Sequence, residues 1–172
     1  MSGLKMPISA EEARKAWKFA LAIRSDCGGG TYVGHSPNGP DRDSAEFVGY
    51  LGELAVCKAF RCPEAFGRSK GVRSPDIIID GLRIEVKTSR LLGARLMLNP
   101  RTYAADVFVL VDQVDETREA QTVRIRGWMS RSEAMSDQYR VFVPWAKTEK
   151  YIVPPEDLHP IATLIERTTD EA

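Results

Sequence analysis

Apolar positions along the chain recur with two periods. Helical spacing joins Ala13, Trp17, Ala20 and Leu21, and Ser9 ahead of Glu11 and Glu12 offers a cap with an acidic first turn, so a helix is expected over residues 9–26. A second helix is expected from a cap at Asp43 or Ser44 to about Phe60, with Phe47, Leu51, Leu54 and Ala55 as its apolar stripe. Gly49, Gly52 and Ala55 are small enough to let it lie close against a sheet, while Glu46, Tyr50 and Glu53 share a second face. Between the two helices, residues 28–40 are rich in Gly, Pro, Ser and Asn and read as a loop. Its Gly28-Gly29-Gly30 lacks the spacing and lysine of a phosphate-binding loop and reads as a linker. Further on, residues 106–111 form a nearly continuous apolar run, as in a strand buried on both faces. Alternation over residues 122–128 predicts its antiparallel partner, with an exposed acidic loop over residues 112–121. Ser130 and Glu133 predict a capped helix over residues 130–138. Short strands over 139–143 and 151–153 would sit at the sheet edge, and a last helix over 157–167.

The most informative stretch is Pro75-Asp76-Ile77-Ile78-Ile79-Asp80-Gly81-Leu82-Arg83-Ile84-Glu85-Val86-Lys87. Asp-Gly between two apolar runs is the strongest local signal for a two-residue hairpin. Counting outward, Ile79 faces Leu82, Ile77 faces Ile84, and Asp76 faces Glu85. Alternation places Glu85 and Lys87 on one face. Opposed like charges destabilise an antiparallel pair, so two facing carboxylates call for a cation between them. A hard divalent ion, Mg2+ or Mn2+, held by one or two carboxylates and completed by water or phosphate oxygens, suits this donor set. The chemistry this suggests is metal-dependent cleavage of a phosphodiester.

Composition changes the picture in one respect. The 172 residues suit a single domain with its own core, and formal net charge is zero. Charge is nonetheless segregated: residues 58–101 hold ten Lys and Arg against four Asp and Glu, whereas residues 102–172 hold eight against thirteen. A nucleic-acid partner and a plain solvated basic face fit this excess equally well. Only His35 and His159 are present, which leaves little room for histidine-based chemistry. Cys27, Cys57 and Cys62 show no pairing pattern, and residues 1–10 lack the apolar core of a signal peptide, so a cytoplasmic protein without membrane spans is expected.

Pro75-Asp76, eight intervening residues and Glu85-Val86-Lys87 resemble the PD-(D/E)xK signature of the restriction-endonuclease-like nuclease superfamily. Gly49-Tyr50-Leu51-Gly52-Glu53 is similar to the helix-borne glutamate of archaeal Holliday-junction resolvases, and residues 105–111 resemble the next core strand. The resemblance implies an α/β fold with a restriction-endonuclease-like αβββαβ core over about residues 44–111. Helices would flank a mixed central sheet, the helix of residues 9–26 would precede the core, and further strands and a helix over 122–167 would follow it. A short meander strand near Val72 and a short helix over 101–105 would complete the core. The implied activity is a divalent-metal-dependent DNA endonuclease, in one domain, acting on DNA of particular structure. Asp76 and Glu85 would hold Mg2+ or Mn2+, with Glu53 adding a ligand directly or through water. Lys87 would orient the attacking water and balance charge, since adjacent carboxylates favour its charged form. Arg73, Thr88, Ser89, Arg90, Asn99 and Arg101 are candidates for phosphate contact, and a homodimer would suit cutting both strands.

Two other readings compete. A catalytically inactive nucleic-acid-binding or regulatory protein could keep the same fold, and an enzyme acting on RNA or a nucleotide would use the same groups. In the plainest case, Asp76 starts a strand while Glu85 and Lys87 are polar residues on the wet face of a hairpin.

Overall fold

The computed structural model describes residues 3–26, 42–63, 74–100, 105–116 and 120–170. The linker over residues 28–40, the strand near Val72, the helix over 101–105 apart from Ala105, and Arg73 and Arg101 lie outside the described residues.

The chain is mixed α/β. Its main sheet has five strands, β1 (Leu4–Ser9), β2 (Ile77–Ile79), β3 (Leu82–Ser89), β5 (Val107–Glu116) and β6 (Ala120–Ser130), in the order β1-β6-β5-β3-β2. All neighbours are antiparallel except β3 and β5, which run parallel. A parallel pair needs a crossover, and residues 90–106 supply it. That crossover contains a strand that the sequence pattern does not announce, β4 (Leu96–Leu98). It joins β7 (Arg140–Val143) and β8 (Thr148–Val153) in a second sheet of order β4-β8-β7. The strands expected at the main sheet's edge therefore form a separate layer.

Alternation along β5 explains the layering. Val107, Val109 and Val111 point into a core shared with the helices α1 (Ala10–Asp26), α2 (Arg42–Ala59) and α4 (Ile161–Asp170). Phe108 and Leu110 point the other way, into a second core with Leu96, Leu98, Met129 and Val153. The sheet is thus buried on both faces at β5, as its unbroken apolar run requires.

Ser9 caps α1 reciprocally: its Oγ accepts from the Glu12 N–H, and its own N–H donates to Glu12 Oε2 at 2.7 Å. The same six residues up to Ser9 form β1, paired to β6, which the sequence reading missed. Helix α1 packs on α2 through edge-to-face pairs of Trp17 with Phe47 and Phe19 with Tyr50. Lys58, at the end of α2, binds both the Pro7 carbonyl and Glu12.

Three further expectations are corrected. Residues 112–116 are not an exposed loop but the continuation of β5, paired to β6 as far as Glu116 opposite Gln121. Asp112 within it is fully buried. The helix expected over 130–138 is one turn, α3 (Arg131–Ala134), with the predicted Ser130–Glu133 capping box, followed by a 3-10 turn. The last helix starts after Pro160 rather than at Asp157, because the preceding backbone is engaged in a bridge between Trp128 and His159. Among the described residues no helix is long and apolar enough to cross a membrane.

Candidate functional site

The hairpin has the register counted from the sequence, with Ile79 opposite Leu82, Ile78 opposite Arg83 and Ile77 opposite Ile84. Asp80 and Gly81 both have positive φ, +49° and +84°, as a two-residue turn matching the sheet's twist demands. Strand β2 begins only at Ile77, so beyond Ile84 its ladder gives way to a side chain: the Val86 N–H donates to Asp76 Oδ2 at 2.8 Å. Asp76 thereby stands at the edge of β3, one residue from Glu85.

Glu85 and Lys87 share a face of β3, and the Lys87 ammonium donates to Glu85 Oε1 at 2.6 Å. In the parallel register Glu85 lies beside Phe108 and Lys87 beside Leu110, so this pair projects on the side of the second sheet. The neighbouring apolar packing leaves the Glu85 side chain only 7% exposed, against 29% for Lys87. A carboxylate that deep needs a compensating charge, and Lys87 provides it. Arg83 occupies the same face two residues before Glu85. It forks onto Asp106, with Nε to Oδ2 at 3.0 Å and Nη2 to Oδ1 at 2.6 Å, and its backbone N–H binds Oδ2 as well. These bonds from Arg83 hold the Asp106 carboxyl down at about 2. An open groove of about 500 Å3 adjoins this end of the face, lined by Arg83, Asp106, Ser130 and Arg131. Asp76 is half-buried where the β2 ladder ends, and Glu85 is buried.

Helix α2 approaches from the opposite face, where Ile84, Val86 and Thr88 project. Contact is so close at Gly52 that a Cβ there would lie 1.9 Å from Thr88 Oγ1. Glu53 follows directly and is buried, 9% exposed. Glu46, Tyr50 and Glu53, which share a helix face, are turned inward: Tyr50 is buried under Phe19, and Glu46 is half-buried. Among the described residues no group of three or more His, Cys, Asp and Glu is placed to hold a metal ion. Glu53, Asp76 and Glu85 do not make up such a group.

The remaining candidates are scattered. Thr88 faces α2, and its Oγ1 is buried with no hydrogen-bond partner among the described residues. Ser89 Oγ accepts from the Leu91 N–H and shapes the turn after β3. Arg90 and Asn99 are exposed. The sequence reading left out Arg83, although simple alternation places it with Glu85 and Lys87. It also left out Asp112, whose carboxylate is gripped by Arg124 at 2.8 and 2.7 Å and which neighbours Ser89 across the parallel pair.

As a donor set, Asp76 and Glu85 suit a hard divalent cation: both are oxygen ligands, and an ionised carboxylate accepts in about four directions. The set has two carboxylates, within the range typical of Mg2+, which completes its shell with water and phosphate. Comparison of the chain with protein-family models, with curated proteins and with solved structures finds no match.

Proposed function

We propose that this protein is a divalent-metal-dependent DNA endonuclease on a restriction-endonuclease-like core, directed to DNA of particular structure. The observation that carries the reading is the Asp76–Glu85–Lys87 constellation at the open end of β3, with Asp76 Oδ2 on the Val86 N–H and Lys87 on Glu85. The mixed sheet, with its hairpin followed by a parallel strand and a helix packed beneath, supports it. So does the basic excess over residues 58–101.

In this mechanism Asp76 and Glu85 would hold Mg2+ or Mn2+. When bound, such an ion supplies activation of a water and neutralisation of charge developing on phosphate. Asp76 is oriented for this by the Val86 N–H, which fixes one carboxylate oxygen. Lys87, which donates to Glu85, would share its charge with the scissile phosphate. Glu53 would add a ligand through water, while Arg90 and the arginines outside the described residues, Arg73 and Arg101, would hold flanking phosphates.

A second reading, an inactive nucleic-acid-binding or regulatory protein, is favoured by the direct Lys87–Glu85 ion pair, which neutralises the buried carboxylate without a metal. Calorimetric titration with Mn2+, alone and with duplex DNA, separates the two. The endonuclease reading expects saturable Mn2+ binding that Asp76→Asn and Glu85→Gln each abolish; no binding even with DNA present would favour the inactive reading.

A further inference from the structure

Immediately after β3 the chain holds two leucines out in solvent on a loop that is firmly built. Leu91 is 73% exposed and Leu92 62%. Single exposed leucines are ordinary on protein surfaces; two adjacent ones on an anchored turn are less so. Ser89 Oγ accepts from the Leu91 N–H at 3.1 Å, and the Ala94 N–H donates to the Leu91 carbonyl at 3.2 Å. Gly93 takes the left-handed φ of +70° that closes the turn. Its N–H donates at 3.0 Å to Oδ2 of Asp112, a fully buried carboxylate held by Arg124. On the far side Leu96 is fully buried and starts β4. The loop is thus fastened at its start, its tip and its end, with the leucines between the fastenings.

The surroundings indicate what would cover them. From Val86 to Ala105 the chain carries Lys87, Arg90, Arg95 and Arg101 and no acidic residue. Arg90 and Arg95 flank the leucines and are exposed. Leu91 follows Lys87 by four residues, so the two lie no more than about 14 Å apart along the chain. An apolar pair between cations, next to a phosphodiester-cleaving edge, fits a nucleic-acid duplex: phosphates meet the arginines while the leucines meet base faces.

We propose that Leu91 and Leu92 form a wedge that enters the base stack of DNA beside the scissile phosphate, with Arg90 and Arg95 gripping the backbone on either side. The choice of DNA as occupant rests on the endonuclease reading. Entry at a base step costs least where stacking is already interrupted, at a branch or mismatch, so the wedge accounts for a preference for such structures.

The test uses the full chain in EDTA, where no cleavage occurs, and a three-way junction carrying 2-aminopurine at the branch. Wild type is expected to raise the fluorescence severalfold on binding. Leu91→Ser with Leu92→Ser, both at exposed positions, is expected to abolish the rise and weaken junction binding about tenfold, with less than about a threefold change for unbranched duplex. A double-serine variant that unstacks the base like wild type overturns the wedge, as does a wild type that gives no rise. Sedimentation that turns a wild-type dimer into a monomer in the double variant, with fluorescence unchanged, also overturns it and assigns the leucines to a second copy of the chain. Fluorescence enhancement without cleavage in Mg2+ would remove the endonuclease reading and leave the wedge standing.

Discussion

The two charges at the centre of the site are unequally placed. Glu85 is nearly enclosed and Lys87 has an outlet to water, so the pair responds asymmetrically to loss of either member. Lys87→Met would strand a buried carboxylate and is expected to lower stability by about 1–3 kcal/mol in urea denaturation at neutral pH. Glu85→Gln leaves a neutral amide and an ammonium that can turn to solvent, and is expected to cost clearly less. Mn2+ should return part of the stability lost in Lys87→Met, because a ligand bound only by the folded state stabilises it by mass action. At Arg83 the sign of a pH effect is fixed by Asp106, whose pKa falls from 3.8 to about 2 on folding. Its contribution is fully present above about pH 4 and disappears as pH falls through about 2. The difference in Tm between wild type and Asp106→Asn should therefore be at full size from about pH 5 upward and shrink toward pH 2. At this scale the sequence is legible where the rule is local: Asp80-Gly81 sets the turn, and alternation sets the Glu85–Lys87 face. Asp76 binding a backbone N–H was not legible, since it depends on where β2 stops.

Among the elements, α2 and the crossover position the site. Gly52 lets α2 touch Thr88, so Gly52→Ala forces a separation and is expected to cost about 1–3 kcal/mol. Truncating Thr88 to Ala in the same chain should recover part of that loss, a coupling measurable by a double-mutant cycle. Asp112 ties the 90–95 loop to β5 and faces Arg124; Asp112→Ala removes the acceptor of the Gly93 N–H and the partner of a half-buried arginine and is expected to cost about 1–3 kcal/mol. Helices α1 and α2 follow from apolar period and caps, and the small residues of α2 signal its close approach. Strands β1 and β4 do not follow: Leu4, Met6 and Ile8 alternate with Lys5, Pro7 and Ser9, but Pro7 argues against a strand, and Leu96–Leu98 is only three apolar residues in a basic segment. Their partners, β6 and β8, lie far along the chain, and only those long-range pairings define them as strands. The reading of Asp112 as a loop residue failed for the same reason, because an acidic residue suggests solvent until its arginine across the sheet is known.

At the scale of the molecule, the main sheet divides two cores, and the carboxylate edge lies where β2 ends and the basic crossover begins. The mixed α/β class agrees with what the resemblance implied, whereas the second sheet was not legible, since β4 joins the adjacent pair β7 and β8 from a distant stretch. The acidic pair is followed in sequence by a run free of acidic residues from Val86 to Ala105, a local basic excess despite zero net charge. The central claim is hydrolysis of DNA at that edge. Its most direct measurement is incubation of supercoiled plasmid and of a four-way DNA junction with the protein in Mg2+ or Mn2+, alongside RNA and a mononucleotide at equal concentration. Cleavage of DNA is expected, faster on the junction, stopped by EDTA and reduced at least about a hundredfold by Asp76→Ala and by Lys87→Ala. Cleavage that survives either substitution, or none in wild type with either metal, would contradict the account.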